Sequence, residues 1–284
     1  MALSFRFGTV GSPKSTPPKP GGSVGAIFRL TELQLNALEL GWVQAVRVSE
    51  STCADIRAAA EAQDVVISVH APYFINLNAD ENEWPKSRQR LMDAAHYGNL
   101  AGATDIIFHP GSYFGKSADE VLPLAIERLR GCVAELREKG NAVVLRPETM
   151  GKSAMLGSLQ DTLMMSQAIE GVAPCIDFAH LHARAGDGSM NSYAEWRSVL
   201  EKIAQSLGES SLKELHIHLS GIEYSAKGER EHLPIQEADL DIQAIFRALK
   251  DLQCGGRILC ESPLLEEDAL VLRQLWLEVA GETP

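Results

Sequence analysis

"DIIFHPGSYFGKSADEVLPLAIERLRGCVAELREKGNAVVLRPE" (residues 105–148) reads as one strand–helix–strand unit. An apolar run at 105–111 leads into a segment whose Val121, Leu124, Ala125, Leu129, Val133 and Leu136 form one stripe at helical spacing, and Gly140 supplies a C-terminal stop. A second apolar run follows at 142–148. Outward from this unit, similar runs recur at 4–10, 42–48, 65–71, 173–179, 214–220 and 256–262. Helical spacing lies between them, at 24–40, 52–63, 85–101, 158–169, 192–207, 238–252 and 266–279. Such alternation calls for a parallel sheet buried on both faces. Eight repeats in 284 residues match a closed (β/α)8 TIM barrel better than an open doubly wound sheet. With no linker or low-complexity tail, the expectation is a single TIM-barrel domain over 1–284.

Composition narrows the function. No apolar stretch is long enough to cross a bilayer, and "MALSFRFGTVGSPK" lacks the apolar region of a secretory leader, so a soluble, cytoplasmic protein with no membrane partner is expected. The five cysteines are scattered and never form a C-x-x-C pair, which argues against a disulfide framework or a zinc ribbon. No G-x-G-x-x-G follows the first strand and no G-x-x-x-x-G-K-[ST] occurs, so no nucleotide cofactor is expected. The net charge of −12 argues against nucleic-acid binding through broad basic coverage. Three divalent cations would add +6, moving −12 to −6 and concentrating positive charge in one place.

In such barrels the chemistry gathers at the C-terminal ends of the strands. His70, His109, Glu148 and Asp177 end four consecutive predicted strands, with His180 just beyond Asp177; the seventh carries His216 and the eighth ends at Glu261. Carboxylates and imidazoles converging on one rim without a cation would bury like charges at high desolvation cost. The mixed donor set suits zinc, manganese or iron rather than magnesium or calcium, and exceeds what one tetrahedral ion needs. A cluster of two or more metals, able to activate water and stabilise both ends of an in-line displacement, is expected. The loop "GSPKSTPPKPGG" (11–22) is long for a barrel loop and is read either as a mobile lid or spacer or as a stiff arm carrying Lys14 and Lys19 toward a phosphate-bearing substrate.

"VHAPYFINL" (69–77), "FHPGSY" (108–113), "PETMGK" (147–152), "CIDFAH" (175–180), "LHIH" (215–218) and "CESP" (260–263) together resemble the endonuclease IV family of apurinic/apyrimidinic endonucleases, over about residues 4–279. That resemblance implies a (β/α)8 barrel with up to three zinc ions, acting in base excision repair on duplex DNA. It implies incision 5′ to an abasic site by a metal-bridging hydroxide. His70, His109 and Glu148 would hold the first metal, and Glu148 would bridge to a second completed by Asp177, His216 and Glu261. His180 and His232 would belong to the third. Glu148 and Glu261 would be the catalytic carboxylates, and Tyr73 would line the abasic-site pocket.

The chain departs from the family at three places. In "KGEREHLP" (227–234) Arg230 stands where the family's D-x-H has its Asp, so the third carboxylate is Glu229, Glu231 or absent. Where the family's strand-7 motif continues with Asn-Asp, His218, Ser220 and Gly221 follow His216 here, and His218, on the same strand face as His216 by the two-residue period, is a further candidate to touch metal or substrate. The proline-rich loop replaces the usual DNA-engaging segment. His182 matches no family ligand and is read as a loop-stabilising residue or as a substitute for the third carboxylate. The rival reading is a divalent-metal sugar isomerase or epimerase of the xylose-isomerase-like superfamily, which shares a core comparable to Glu148, Asp177, His216 and Glu261. Such enzymes generally do not need His70, His109, His180 and His232, whose presence favours phosphodiester hydrolysis.

Overall fold

The structure is a computed structural model that describes residues 4–281; residues 1–3 and 282–284 of the expected domain lie outside the described residues. The first half of the chain runs β1 (Phe5–Val10), α1 (Gly22–Glu32), β2 (Ala37–Gly41), α2 (Glu50–Gln63), β3 (Val66–His70), α3 (Trp84–Leu100), β4 (Ala103–Phe108), α4 (Ala118–Glu138) and β5 (Val144–Pro147). It continues with α5 (Leu159–Ala168), β6 (Cys175–Asp177), α6 (Phe178–Arg184), α7 (Tyr193–Leu207), β7 (Leu215–Leu219), β8 (Gly221–Ser225), β9 (Gly228–Leu233), α8 (Ile242–Asp251), β10 (Gly256–Cys260) and α9 (Glu266–Ala280).

Eight strands pair in parallel in the order β5-β4-β3-β2-β1-β10-β7-β6. The ring is completed by parallel bridges Leu145 to Val172 and Glu148 to Cys175, where Thr149 N donates to Cys175 O at 3.0 Å. This is the (β/α)8 barrel. Helices start where side chains satisfy the free amides of the first turn: Ser117 with Glu120, Ser158 with Asp161, and Ser192 with Glu195 each form a capping box. The face of α4 that packs inward is Val121, Leu122, Ala125, Leu129, Cys132, Val133 and Leu136. Leu124, expected in that stripe, is exposed, because it falls about 120° from the centre of the buried face at ~100° per residue.

The second strand differs from expectation. It is Ala37–Gly41, not 42–48, and the preceding helix stops at Glu32 rather than running to 40. Gln34 takes a left-handed backbone conformation (φ 59°) that breaks the helix, and Ala37 through Leu40 are all buried, as a strand covered on both faces must be. The alternation at 42–48 belongs to a loop whose Trp42, Val46 and Val48 pack on the core. Two further elements, the short α6 and the antiparallel β8–β9 hairpin, interrupt the simple alternation after β6 and β7.

Buried charge closes the N-terminal mouth of the barrel. Asp105 on β4 takes Arg146 Nε on one oxygen and Arg257 on the other at 2.9 Å; Arg146 also donates to Pro174 O (2.9 Å) and Glu214 O (3.2 Å). Burial alone would raise the Asp105 carboxyl, but the two guanidinium groups hold it well below the carboxylate range. Among the described residues no helix is long and apolar enough to cross a membrane.

Candidate metal centre

The opposite, C-terminal mouth collects imidazoles around one carboxylate. Glu148, directly after β5, is fully buried, and its backbone N donates to Phe108 O. His70 Nε2 and His109 Nε2 each lie 3.2 Å from Glu148 Oε2, while His218 Nδ1 (3.2 Å) and His180 Nδ1 (3.4 Å) approach Oε1. The potential ligand atoms fall into overlapping groups, each within 4.8 Å: His70, His109 and Glu148; Glu148, Asp177, His218 and Glu261; Asp177, His180 and His232. Glu148 is shared by the first two groups and Asp177 by the last two.

Backbone carbonyls fix which ring nitrogens carry protons. His70 Nδ1 lies 2.9 Å from Ala71 O and His180 Nδ1 lies 3.0 Å from Thr149 O. A carbonyl only accepts, so both Nδ1 atoms donate, and Nε2 is the nitrogen through which each ring, once neutral, can offer a lone pair to the cluster. Asp177 caps α6: its Oδ1 accepts from His180 N at 2.7 Å, which is why D-x-x-H brings both side chains to one place. Asp177 Oδ2 and His180 Nε2 are buried without a hydrogen-bond partner. Buried polar atoms without a hydrogen-bond partner are costly in isolation and can be satisfied by a divalent cation, so the donor set fits zinc.

The β7 ligand position requires a correction. His216 was expected with Asp177 and Glu261, but His218 occupies that place, with Nδ1 3.4 Å from Glu261 Oε1. Both imidazoles face inward, and the β6–β7 register sets Asp177 level with His218 and Cys175 level with His216. His216 therefore sits one layer deeper, about 6–7 Å toward the N-terminal mouth. There its Nε2 meets Glu39 Oε2 at 2.9 Å, and burial pushes the ring down to about 4, so it is neutral. Cys175, His216 and His218 form a further buried group. Glu39, which sequence reasoning missed, reaches both histidines.

The β8–β9 hairpin supplies the third group. His232 Nε2 is 3.6 Å from Glu261 Oε2, and its Nδ1 bonds Ser220 Oγ at 2.6 Å. Of the two candidate carboxylates, Glu229 turns in to within 3.6 Å of His180 Nε2, whereas Glu231 is exposed opposite Glu223; Arg230 points outward to Glu223. Gly151, in "PETMGK", permits this approach: a Cβ there would lie 2.8 Å from Glu229 Oε2 and 3.1 Å from a His180 ring carbon.

Other expected residues lie around this rim or beyond it. Tyr73 is 46% exposed, stacked on His109 (4.9 Å) and edge-on to His70 (5.2 Å), so it is a rim residue. Lys14 and Lys19 are exposed on the loop after β1, which Glu266 holds by accepting from Lys14 N and Ser15 N, both at 2.8 Å. His182 is bound elsewhere, to Asp239 (3.0 Å) and Met190 O (3.2 Å), and stays out of the cluster.

Protonation balances the charges of this centre. Burial would lower His180, but Asp177 and Glu148 raise it well above the imidazole range; burial would raise Glu148, but His218, His109 and His180 pull it well below the carboxylate range. A cation binding at His180 Nε2 competes with a proton for that atom. Zinc binding to metal-free protein is thus expected to release protons, and its affinity to rise with pH from the ordinary imidazole value of about 6.5 upward. Indicator-dye titration checks this; affinity independent of pH over that range would contradict it.

Comparison with known proteins agrees with the geometry. Residues 28–276 match the family described as "Xylose isomerase-like TIM barrel". "Uncharacterized protein MJ0133" of Methanocaldococcus jannaschii is 37% identical over 96% of this chain and 97% of its own length. "Probable endonuclease 4" of Oceanobacillus iheyensis is 30% identical over 59% of this chain, which spans 56% of that relative. Among solved structures, endonuclease IV from Thermus thermophilus has a TM-score of 0.73 at 22% identity, covering 95% of this chain and 99% of that one. A D-tagatose 3-epimerase-like protein has a TM-score of 0.70 at 18% identity, covering 91% and 96%. The family match spans most of the barrel and all the metal-type residues gathered at its C-terminal mouth, so the chain belongs to the xylose isomerase-like TIM barrel family.

Proposed function

We propose that this protein is a zinc-dependent phosphodiesterase that acts on duplex DNA at abasic sites, incising 5′ to the lesion in the cytoplasm. The observation that carries this reading is the surplus of imidazoles around Glu148. Glu148, Asp177, His218 and Glu261 suffice for one divalent ion, yet His70 and His109 flank them on one side and His180 and His232 on the other. The partial likeness to "Probable endonuclease 4" supports the same reading.

His70, His109 and Glu148 would hold one ion; Glu148, Asp177, His218 and Glu261 a second; Asp177, His180 and His232, with Glu229 at the edge, a third. Divalent ions there supply Lewis acidity toward phosphoryl oxygens and acidify water. The donor set also accepts manganese or iron. Glu148 keeps neighbouring groups in register by presenting one oxygen to His70 and His109 and the other to His180 and His218. Glu261 links His218 to His232, tying the hairpin to the barrel wall. Tyr73 offers a flat face at the rim to a base or sugar, and Lys14 and Lys19 offer charge to flanking phosphates. Confining basic contact to the rim reconciles DNA binding with the net charge of −12. The buried, free cysteines suit a reducing compartment.

A second reading rests on the central group alone. Glu148, Asp177, His218 and Glu261 would also serve a keto-sugar epimerase, and the barrel superposes on an epimerase-like protein. Zinc-loaded protein incubated with abasic and undamaged duplexes, and separately with keto sugars, discriminates between them. A phosphodiesterase makes a single cut 5′ to the abasic site, leaving a 3′-hydroxyl; intact duplex together with sugar turnover would establish the epimerase.

A further inference from the structure

Glu39 lies inside the barrel on β2, fully buried, and belongs to none of the ligand groups at the rim. A buried carboxylate in a layer that barrels usually fill with branched apolar side chains calls for a reason. Its Oε2 is held by two groups, Ser68 Oγ at 2.8 Å and His216 Nε2 at 2.9 Å. Its Oε1 lies 3.0 Å from His218 Nε2, and neither of these two atoms has a hydrogen-bond partner. The far side of the same ring directs Nδ1 at Glu148 Oε1 (3.2 Å) and Glu261 Oε1 (3.4 Å).

We propose that Glu39 is the positioning residue that orients His218 as a metal ligand, with Ser68 and His216 holding the carboxylate in place. If His218 gives its Nδ1 lone pair to a cation among Glu148, Asp177 and Glu261, its proton sits on Nε2, and Glu39 Oε1 is the acceptor waiting there. A carboxylate behind a ligating imidazole fixes the tautomer and ring plane and raises ligand basicity. His216 thus acts one step further back, holding the group that holds the ligand. The inference rests on the metal reading of the cluster and is independent of whether the substrate is DNA or a sugar.

The test uses full-length protein, zinc competition against a chromophoric chelator, and the visible spectrum of the cobalt(II)-loaded form. Glu39→Gln is expected to weaken one zinc by about 10- to 100-fold, the usual cost of losing such a partner, and to shift the cobalt bands. Glu39→Asp is expected to recover part of the affinity, and Ser68→Ala to lose a few-fold, roughly the share of one partner. Thermal unfolding of the metal-free variants controls for a purely structural role. Wild-type zinc affinity and an unchanged cobalt spectrum in Glu39→Gln would overturn the proposal. So would a thiolate-to-cobalt charge-transfer band that disappears in Cys175→Ser, which would assign His218 to the deeper group with Cys175 and His216 instead. If Glu39→Gln does not fold, Ser68→Ala decides, and unchanged affinity there overturns it. Failure of the DNA reading would appear as absent incision with these metal affinities unaffected.

Discussion

Glu148→Gln is expected to reduce abasic-site incision by at least ~10³-fold, about 4 kcal/mol of transition-state stabilisation. Glutamine preserves the volume of the side chain and removes the charge that four imidazoles face. Because Glu148 belongs to two of the ligand groups, its loss weakens both at once, whereas a change at His232 touches one. Zinc content is therefore expected to fall together with the rate. Single-turnover incision and metal analysis of the purified variant check this. A rate within tenfold of wild type, roughly 1.4 kcal/mol, would remove Glu148 from the centre of the chemistry.

Asp105→Asn is expected to have the largest effect on folding, a destabilisation of about 3–5 kcal/mol. The substitution leaves Arg146 and Arg257 in the N-terminal mouth without their shared counter-charge. Urea unfolding of metal-free protein measures it, with the zinc affinity of the folded variant unchanged because the opposite mouth is untouched. The pH dependence follows from the depressed carboxyl of Asp105. Its folded-state pKa lies below the unfolded value of about 3.9, so its contribution is complete above that pH and is lost as pH falls below it. Wild type is thus expected to lose stability on acidification through this window more steeply than Asp105→Asn. Equal slopes would show that the three-residue network carries no net charge coupling.

The barrel was legible because its units are local. The strand–helix–strand pattern at 105–148 needs only hydrophobic spacing and a stop signal, and β4, α4 and β5 follow it. What was not legible depended on which face or layer a residue occupies. Leu33, Ala37 and Leu40 continue the helical spacing of α1, and the left-handed Gln34 separates helix from strand. That one boundary error placed Glu39 on a helix and hid it from the site. A lone Glu in the buried run "ALELG" is the signal that a corrected strand would have exposed. His216 and His218 share a face, and the strand period alone cannot rank them. Their neighbours do, since pairing with β6 sets His218 beside Asp177. The hairpin escaped because its charged sequence "KGEREHL" alternates across an exposed two-stranded ribbon, which carries little apolar signal.

The metal centre proposed here has several cations sharing Glu148 in one cluster. Anomalous diffraction at the zinc edge from crystals of zinc-loaded protein tests it directly. Three peaks are expected: one at His70, His109 and Glu148, one at Glu148, Asp177, His218 and Glu261, and one at Asp177, His180 and His232. A single peak at Glu148, Asp177, His218 and Glu261, with the remaining imidazoles bare at saturating zinc, would contradict it.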